Sequence, residues 1–176
     1  EGAVLSAGTH NADGTWTLAP GQLAGLTLTP PANSSADFSL SVTATAKEAD
    51  GGVSSQTASL DVNVTGVADA PTLNVTSTTG NEDSAIPLDI SSALTDTDGS
   101  ETLAITIAGV PNGAVLSAGT HNADGTWTLS PAQLTGLTIT PPANSSADFS
   151  LTVTATATDG SDTATTAATL TVDVTG

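Results

Sequence analysis

The chain repeats itself. Residues 113–157 restate residues 2–46, from GAVLSAGTHNADGTWTL through PPANSSADFSL to VTATA, and the copies differ only as Ala19/Ser130, Gly21/Ala132, Ala24/Thr135, Leu28/Ile139 and Ser41/Thr152. The copies start 111 residues apart, a spacing too long for one rung of a solenoid and close to that of a whole domain. Copies this alike imply a gene that grows by duplicating one module. The number of modules, and so reach, then matters more than any single pocket.

The module boundary lies in VTG-VADAPTL at 64–73. Pro71 cannot donate to a ladder and holds its neighbour extended, so a strand ending at Gly66 passes through a short linker into a strand starting near Thr72. The final VDVTG matches VNVTG at 62–66, which makes residues 67–176 one complete repeat. Residues 1–66 correspond only to 112–176 and lack everything equivalent to 67–111. About 65 residues without three of their strands bury too little surface to be stable alone. The missing strands are expected to lie outside this sequence, to come from another chain, or to have been cut away.

Fold class follows from patterning with a period of two. Leu103, Ile105 and Ile107, then Phe149, Leu151, Val153 and Ala155, then Leu170, Val172 and Val174 put apolar side chains on one face, with Thr and Ser on the other. The pattern predicts strands near 72–78, 86–90, 102–109, 114–117, 126–129, 137–140, 148–157 and 164–175, with single turns at 91–94 and 131–134. Seven or eight short antiparallel strands in such a length fit an all-β, immunoglobulin-like sandwich. Trp16 and Trp127 read as core, because aromatics are only 2% of the chain and each must pack.

Charge sets the partners. Eighteen Asp and Glu stand against one basic residue, Lys47, for a formal net charge of −17. Nucleic acid and anionic membrane are poor partners for such a surface. The 38% hydrophobic content, arranged in alternation, argues against disorder. Cysteine is absent, which excludes disulfides and thiolate metal sites. The start carries no signal-peptide pattern, and no apolar run approaches membrane-spanning length.

The acidic residues gather where strand parity puts them. The connection TDTDGSE after the second predicted strand, the turn ATDGSD before the last strand, and the linker all fall at the leading end of the complete repeat. Asp69, Asp96, Asp98, Glu101, Asp159 and Asp162 thus approach one pole, where they repel one another unless a cation intervenes. Asp-x-Asp-Gly lets alternate side chains and a turn carbonyl face one hard divalent ion with six to eight oxygen ligands.

Together these segments resemble a known family. TDTDGSETLAITI is similar to the cadherin pattern of an Asp-x-Asp turn followed by a strand, NEDSAIPLDI to its upstream acidic loop, FSLTVTATATDG to its late strand and acidic turn, and VADAP to its calcium-binding linker. The chain resembles most the cadherin-like, immunoglobulin-like extender repeats of giant bacterial adhesins of the repeats-in-toxin type, exported by type I secretion. The resemblance implies Ca2+ at domain junctions, an extracellular location on a bacterial cell surface, neighbouring repeats as partners, and a spacer role. A single linker Asp, Asp69, stands where animal cadherins have several, so three ions per junction are not expected.

By the same parity Glu82 and Asp83, with Asn144 and Asp148, lie at the trailing pole and would serve the junction to a following repeat. In the preceding module the matching residues are Asn33 and Asp37, while Glu48 and Asp50 occupy its leading pole. Asp13 and Asp124 in HNADG read as turn formers, His10 and His121 as loop residues without a second His or Cys nearby, and Asp61, Asp89 and Asp173 as outward strand positions that protect edges. The Thr array at 152–158 reads as ordinary outward strand residues, with ice or glycan binding as the sharper alternative. No nucleophile, base and orienter are arranged together and no Gly loop would cradle phosphate, so an enzyme is not expected. The sequence therefore points to a calcium-stabilised extender that projects a distal ligand-binding domain for adhesion or biofilm formation. The alternative is a repeat that itself binds a glycan or a like partner.

Overall fold

The computed structural model describes residues 2–176 and is all-β, with two short 3-10 turns and no α-helix among them. The chain divides into two compact units, Glu1–Thr65 and Gly66–Gly176. Among the described residues no helix is long and apolar enough to cross a membrane.

The first unit contains β1 (Val4–Leu5), β2 (Thr9–His10), β3 (Trp16–Thr17), β4 (Leu28–Thr29), β5 (Phe38–Lys47) and β6 (Val53–Val62). The second contains β7 (Thr72–Thr76), β8 (Thr78–Asn81), β9 (Ile86–Pro87), β10 (Asp89–Ala93), β11 (Thr102–Ala108), β12 (Val115–Leu116), β13 (Thr120–His121), β14 (Trp127–Leu129), β15 (Thr138–Thr140), β16 (Phe149–Asp159) and β17 (Asp162–Thr175).

In the second unit six strands form one sheet in the order β13-β14-β11-β16-β17-β8, while β12-β15-β9 and β10-β7 form smaller ones. Pairing is antiparallel except that β8 runs parallel to β17, from Val172↔Thr78 to Thr175↔Asn81. Alternation makes the core. Ile105 and Ile107 of β11, Leu151 and Val153 of β16, and Leu170 and Val172 of β17 are fully buried, and Ile86, Leu88, Ile90, Leu116 and Ile139 from the smaller sheets join them in one cluster. Each such side chain contributes roughly 1.5–3 kcal/mol. The arrangement is compatible with a β-sandwich.

Local expectations change, among them the strand predicted at 86–90, which is two: β9 pairs with β15 and β10 with β7. Residues 91–93 belong to β10, not to a turn, because they pair with β7 in the register Ser91↔Asn74 to Ala93↔Thr72 and the Ser92 hydroxyl donates to the Thr72 carbonyl at 2.8 Å. The stretch predicted as one strand near 72–78 is two, β7 and β8, each in a different sheet. Gly80 makes the second possible: a Cβ there would stand 2.5 Å from Cγ1 of Ile86, so β8 lies with bare backbone on the core.

The first unit keeps the hairpins of the second but none of its burial. No residue from 2 to 65 is buried. Val42 is 51% and Leu60 55% exposed, whereas their counterparts Val153 and Leu170 are at 0%. The HNADG hairpins are alike in both units: His10 stacks on Trp16 at 4.9 Å and His121 on Trp127 at 5.1 Å. Trp127 packs partly buried against the core. Asp13 and Asp124 act as turn formers; the Thr15 and Thr126 hydroxyls, then their N–H groups, donate to them and hold both carboxyls below their usual range.

Candidate metal centre

Two segments of the second unit build the site, the turn between β10 and β11 and the linker. The chain leaves β10, turns through residues 96–100 and enters β11. The Asp98 N–H donates to Oδ1 of Asp96 at 2.9 Å and the Ser100 N–H to Oδ1 of Asp98 at 2.7 Å. Gly99 takes a φ of +95°, a left-handed bend that L side chains resist. The turn leaves Asp96 at 3% exposure and sets Glu101, at 7%, just before β11.

The linker supplies the third carboxylate. The Asp69 N–H donates to Oε1 of Glu101 at 2.6 Å, and one carboxylate oxygen each from Asp69, Asp96 and Glu101 lies within 4.8 Å of the others. Asp69 is exposed while its two partners are buried. The second unit has no Lys or Arg, because the chain's one basic residue is Lys47. At that spacing each like-charge pair costs about 3–4 kcal/mol for an effective dielectric of about 20.

Among the described residues, Oε2 of Glu101 is a buried carboxylate oxygen without a hydrogen-bond partner. A carboxylate oxygen left so costs several kcal/mol. A cation bound there would remove both the repulsion and the unmet oxygen. The donor set of carboxylates without nitrogen or sulfur suits a hard divalent ion. These three residues could hold a metal.

The other expected ligands at this pole lie outside that group. Asp98 is exposed and uses Oδ1 on the Ser100 N–H. Asp162 is exposed, and its Oδ2 accepts the Ala68 N–H at 3.0 Å. Asp159, at the end of β16, is 6% exposed and lies under the linker backbone at Gly66. A Cβ at residue 66 would stand 2.2 Å from Oδ2 of Asp159. Gly66→Ala is therefore expected to lower the stability of the second unit by about 1–3 kcal/mol through overpacking. Gly176→Ala, whose added carbon meets nothing nearer than 3.5 Å, should be neutral. Thermal melting of the two variants checks the contrast.

Sequence reasoning missed the neutral anchors of the linker. The Thr95 hydroxyl donates to the Ala70 carbonyl and the Thr166 hydroxyl to that of Pro71, each at 2.7 Å. Pro71 is buried. Thr95 directly precedes Asp96, and Thr166 interrupts the Ala face of β17. Neither carries a signal that a sequence pattern could separate from an ordinary strand Thr.

The residues assigned to the trailing pole satisfy backbone groups. Asp148 Oδ1 accepts the Val174 N–H at 2.7 Å, and Asp83 Oδ1 accepts that of Asn144 at 2.9 Å. Glu82 is half-buried, and its N–H donates to the Thr175 carbonyl at 2.8 Å. In the first unit Asp37 Oδ1 accepts the Val64 N–H at 2.7 Å, and Asn33 occupies a left-handed turn position with φ 62°. Asp50 Oδ1 takes the Gly52 N–H at 3.1 Å in the Glu48 turn. Among the described residues, the one group of three or more metal-ligating side chains is Asp69, Asp96 and Glu101.

No family model matches the chain, and no curated protein matches it. Among solved structures it is similar to an endo-fucoidan hydrolase of glycoside hydrolase family 107, at 21% identity and a TM-score of 0.30, over 99% of this chain and 24% of that one. A likeness of that order carries no argument about fold or activity.

Proposed function

We propose that the chain is a calcium-stabilised extender: a stretch of tandem immunoglobulin-like, cadherin-like repeats in a bacterial surface adhesin, without catalytic activity of its own. The observation that carries the reading is the convergence of linker Asp69 on buried Asp96 and Glu101, with Oε2 of Glu101 unpartnered. A Ca2+ ion there ties the linker to the repeat it enters, neutralises the pole and resists bending. Two further features support it. The first strand of the complete repeat divides, β7 pairing with β10 and β8 running parallel to the last strand, an arrangement compatible with an immunoglobulin-like sandwich. The near-identical copies make length the variable that duplication adjusts.

The partners in this reading are neighbouring repeats, the location is extracellular after type I secretion, and any ligand is bound by other domains. Neither nucleic acid nor membrane insertion enters it. β17 has 14 residues and spans roughly 45 Å, so each repeat adds on the order of 40 Å. Small-angle scattering from tandem copies of residues 67–176 is expected to give a maximum dimension that grows nearly linearly with copy number in calcium, and a broader, more bent distribution in chelator. An array that is compact in calcium, or equally straight in chelator, removes the junction as the stiffening element.

A further inference from the structure

We infer that Asn112 is a site of spontaneous covalent modification, where the side-chain amide is lost to water through a cyclic imide formed with the Gly113 nitrogen. The reaction needs an asparagine whose following nitrogen is unobstructed and free. This chain supplies that once. Of its eight asparagines Asn112 alone precedes glycine, while the others precede Ala, Ser, Val or Glu, whose Cβ crowds the attacking nitrogen.

The fold leaves the pair open. The Ala114 N–H donates to the Pro111 carbonyl at 3.0 Å and Gly113 takes a φ of +92°, so Asn112 and Gly113 are the central residues of a tight turn between β11 and β12. Both are exposed. Among the described residues, neither the Asn112 side chain nor the Gly113 N–H has a hydrogen-bond partner in the protein. Other asparagines are held. The amides of Asn11 and Asn122 each donate to two Thr hydroxyls at 2.9 Å, and Oδ1 of Asn81 accepts the Thr175 hydroxyl at 2.9 Å.

The step balances with water alone. The Gly113 nitrogen bonds to Cγ of Asn112, and the side-chain amide takes that nitrogen's proton and leaves as ammonia, closing the imide. Water then opens the ring. Cleavage of the bond to Cγ gives an ordinary aspartate, whereas cleavage of the bond to the main-chain carbonyl gives an isoaspartate, in which the chain runs through Cβ. The fold treats the two products differently. An aspartate at this exposed position only adds a charge that water solvates. An isoaspartate adds a backbone atom to the turn and displaces Ala114 and Leu116, which lie just beyond it at 8% and 3% exposure.

The test holds the intact folded chain at neutral and at mildly alkaline pH and maps the products by mass spectrometry of peptic peptides. A gain of about one dalton in peptides spanning 109–116 is expected, accumulating roughly tenfold faster than at any other asparagine. Alkali should speed it, because the attacking nitrogen must shed its proton. Methyl transfer by an isoaspartyl methyltransferase marks the isoaspartate fraction, which should melt several degrees below the fresh chain, while Asn112→Asp should melt with the fresh chain. Asn112→Gln keeps an amide but must close a larger ring, so it should abolish the change, and Asn122→Gln should leave it intact. The inference is overturned if Asn112 keeps its amide in the folded chain as long as the other asparagines do, or if the first loss falls at Asn33 or Asn144. An Asn112→Gln chain that loses ammonia at the parent rate overturns it as well, and an isoaspartate fraction that melts with the fresh chain overturns the effect assigned to the turn.

Discussion

Melting of the second unit is expected about 10–15 °C higher in millimolar calcium than in chelator. A ligand that binds only the folded state adds about 2.7 kcal/mol at a hundredfold excess over its dissociation constant, and each kcal/mol moves the midpoint of a domain this size by several degrees. The sharper form uses Glu101→Gln. Gln keeps an oxygen for the Asp69 N–H but removes one of three clustered charges. The variant should therefore melt above the parent in chelator and gain little from calcium. Asp124→Ala, in a turn that the metal reading does not use, should lose only the stability of that turn and keep the full calcium increment. Identical melting of the parent in calcium and chelator would sink the metal reading, and a full calcium response in Glu101→Gln would place the ion elsewhere.

The pole itself was legible because parity in a sheet is a strong constraint. Asp69 lies 27 residues before the turn that carries Asp96 and Glu101, yet alternating strand direction sends linker and turn to one end, and the structure brings one carboxylate oxygen of each of the three within 4.8 Å of the others. Parity does not say which oxygens remain free. Asp98, Asp162, Asp148, Asp83 and Asp37 each accept a backbone N–H, a use that depends on local turn geometry and on contacts up to 94 residues apart. An Asp that closes a turn and an Asp that waits for a cation look alike in a sequence.

The same limit governs the fold. β11, β16 and β17 announce themselves by alternating apolar residues that end up at or near 0% exposure. β8, with the sequence TTGN, has no apolar face to announce; it exists because Gly80 fits over Ile86 and because β17 offers an edge. Residues 91–94 read as a single turn, but pairing of 91–93 with β7 overrides that local reading. Long-range pairing decides both, and neither is present in a local window.

The internal repeat allows one energetic comparison that most chains do not. Leu170 and Leu60 occupy the same place in the same kind of hairpin, opposite Leu151 and Leu40, yet one is at 0% exposure and the other at 55%. Leu170→Ala removes a sealed side chain and leaves a cavity in close-packed surroundings, which costs about 2–5 kcal/mol. Leu60→Ala removes a side chain that already meets water over half its surface, and no cavity can form on an open face, so its cost should stay below about 1 kcal/mol. Denaturant unfolding followed at Trp127, with Trp16 replaced by Phe, measures the Leu170→Ala cost, and amide hydrogen exchange across the β5–β6 hairpin measures that of Leu60→Ala. The local pairing, Leu40↔Leu60 against Leu151↔Leu170, is alike in the two hairpins, although their turns and second strands differ in sequence, so the difference reports mainly what the covering strands of 67–111 contribute. Equal costs at the two positions would mean that the hairpins carry their own stability and that burial by those strands is not what holds the repeat together.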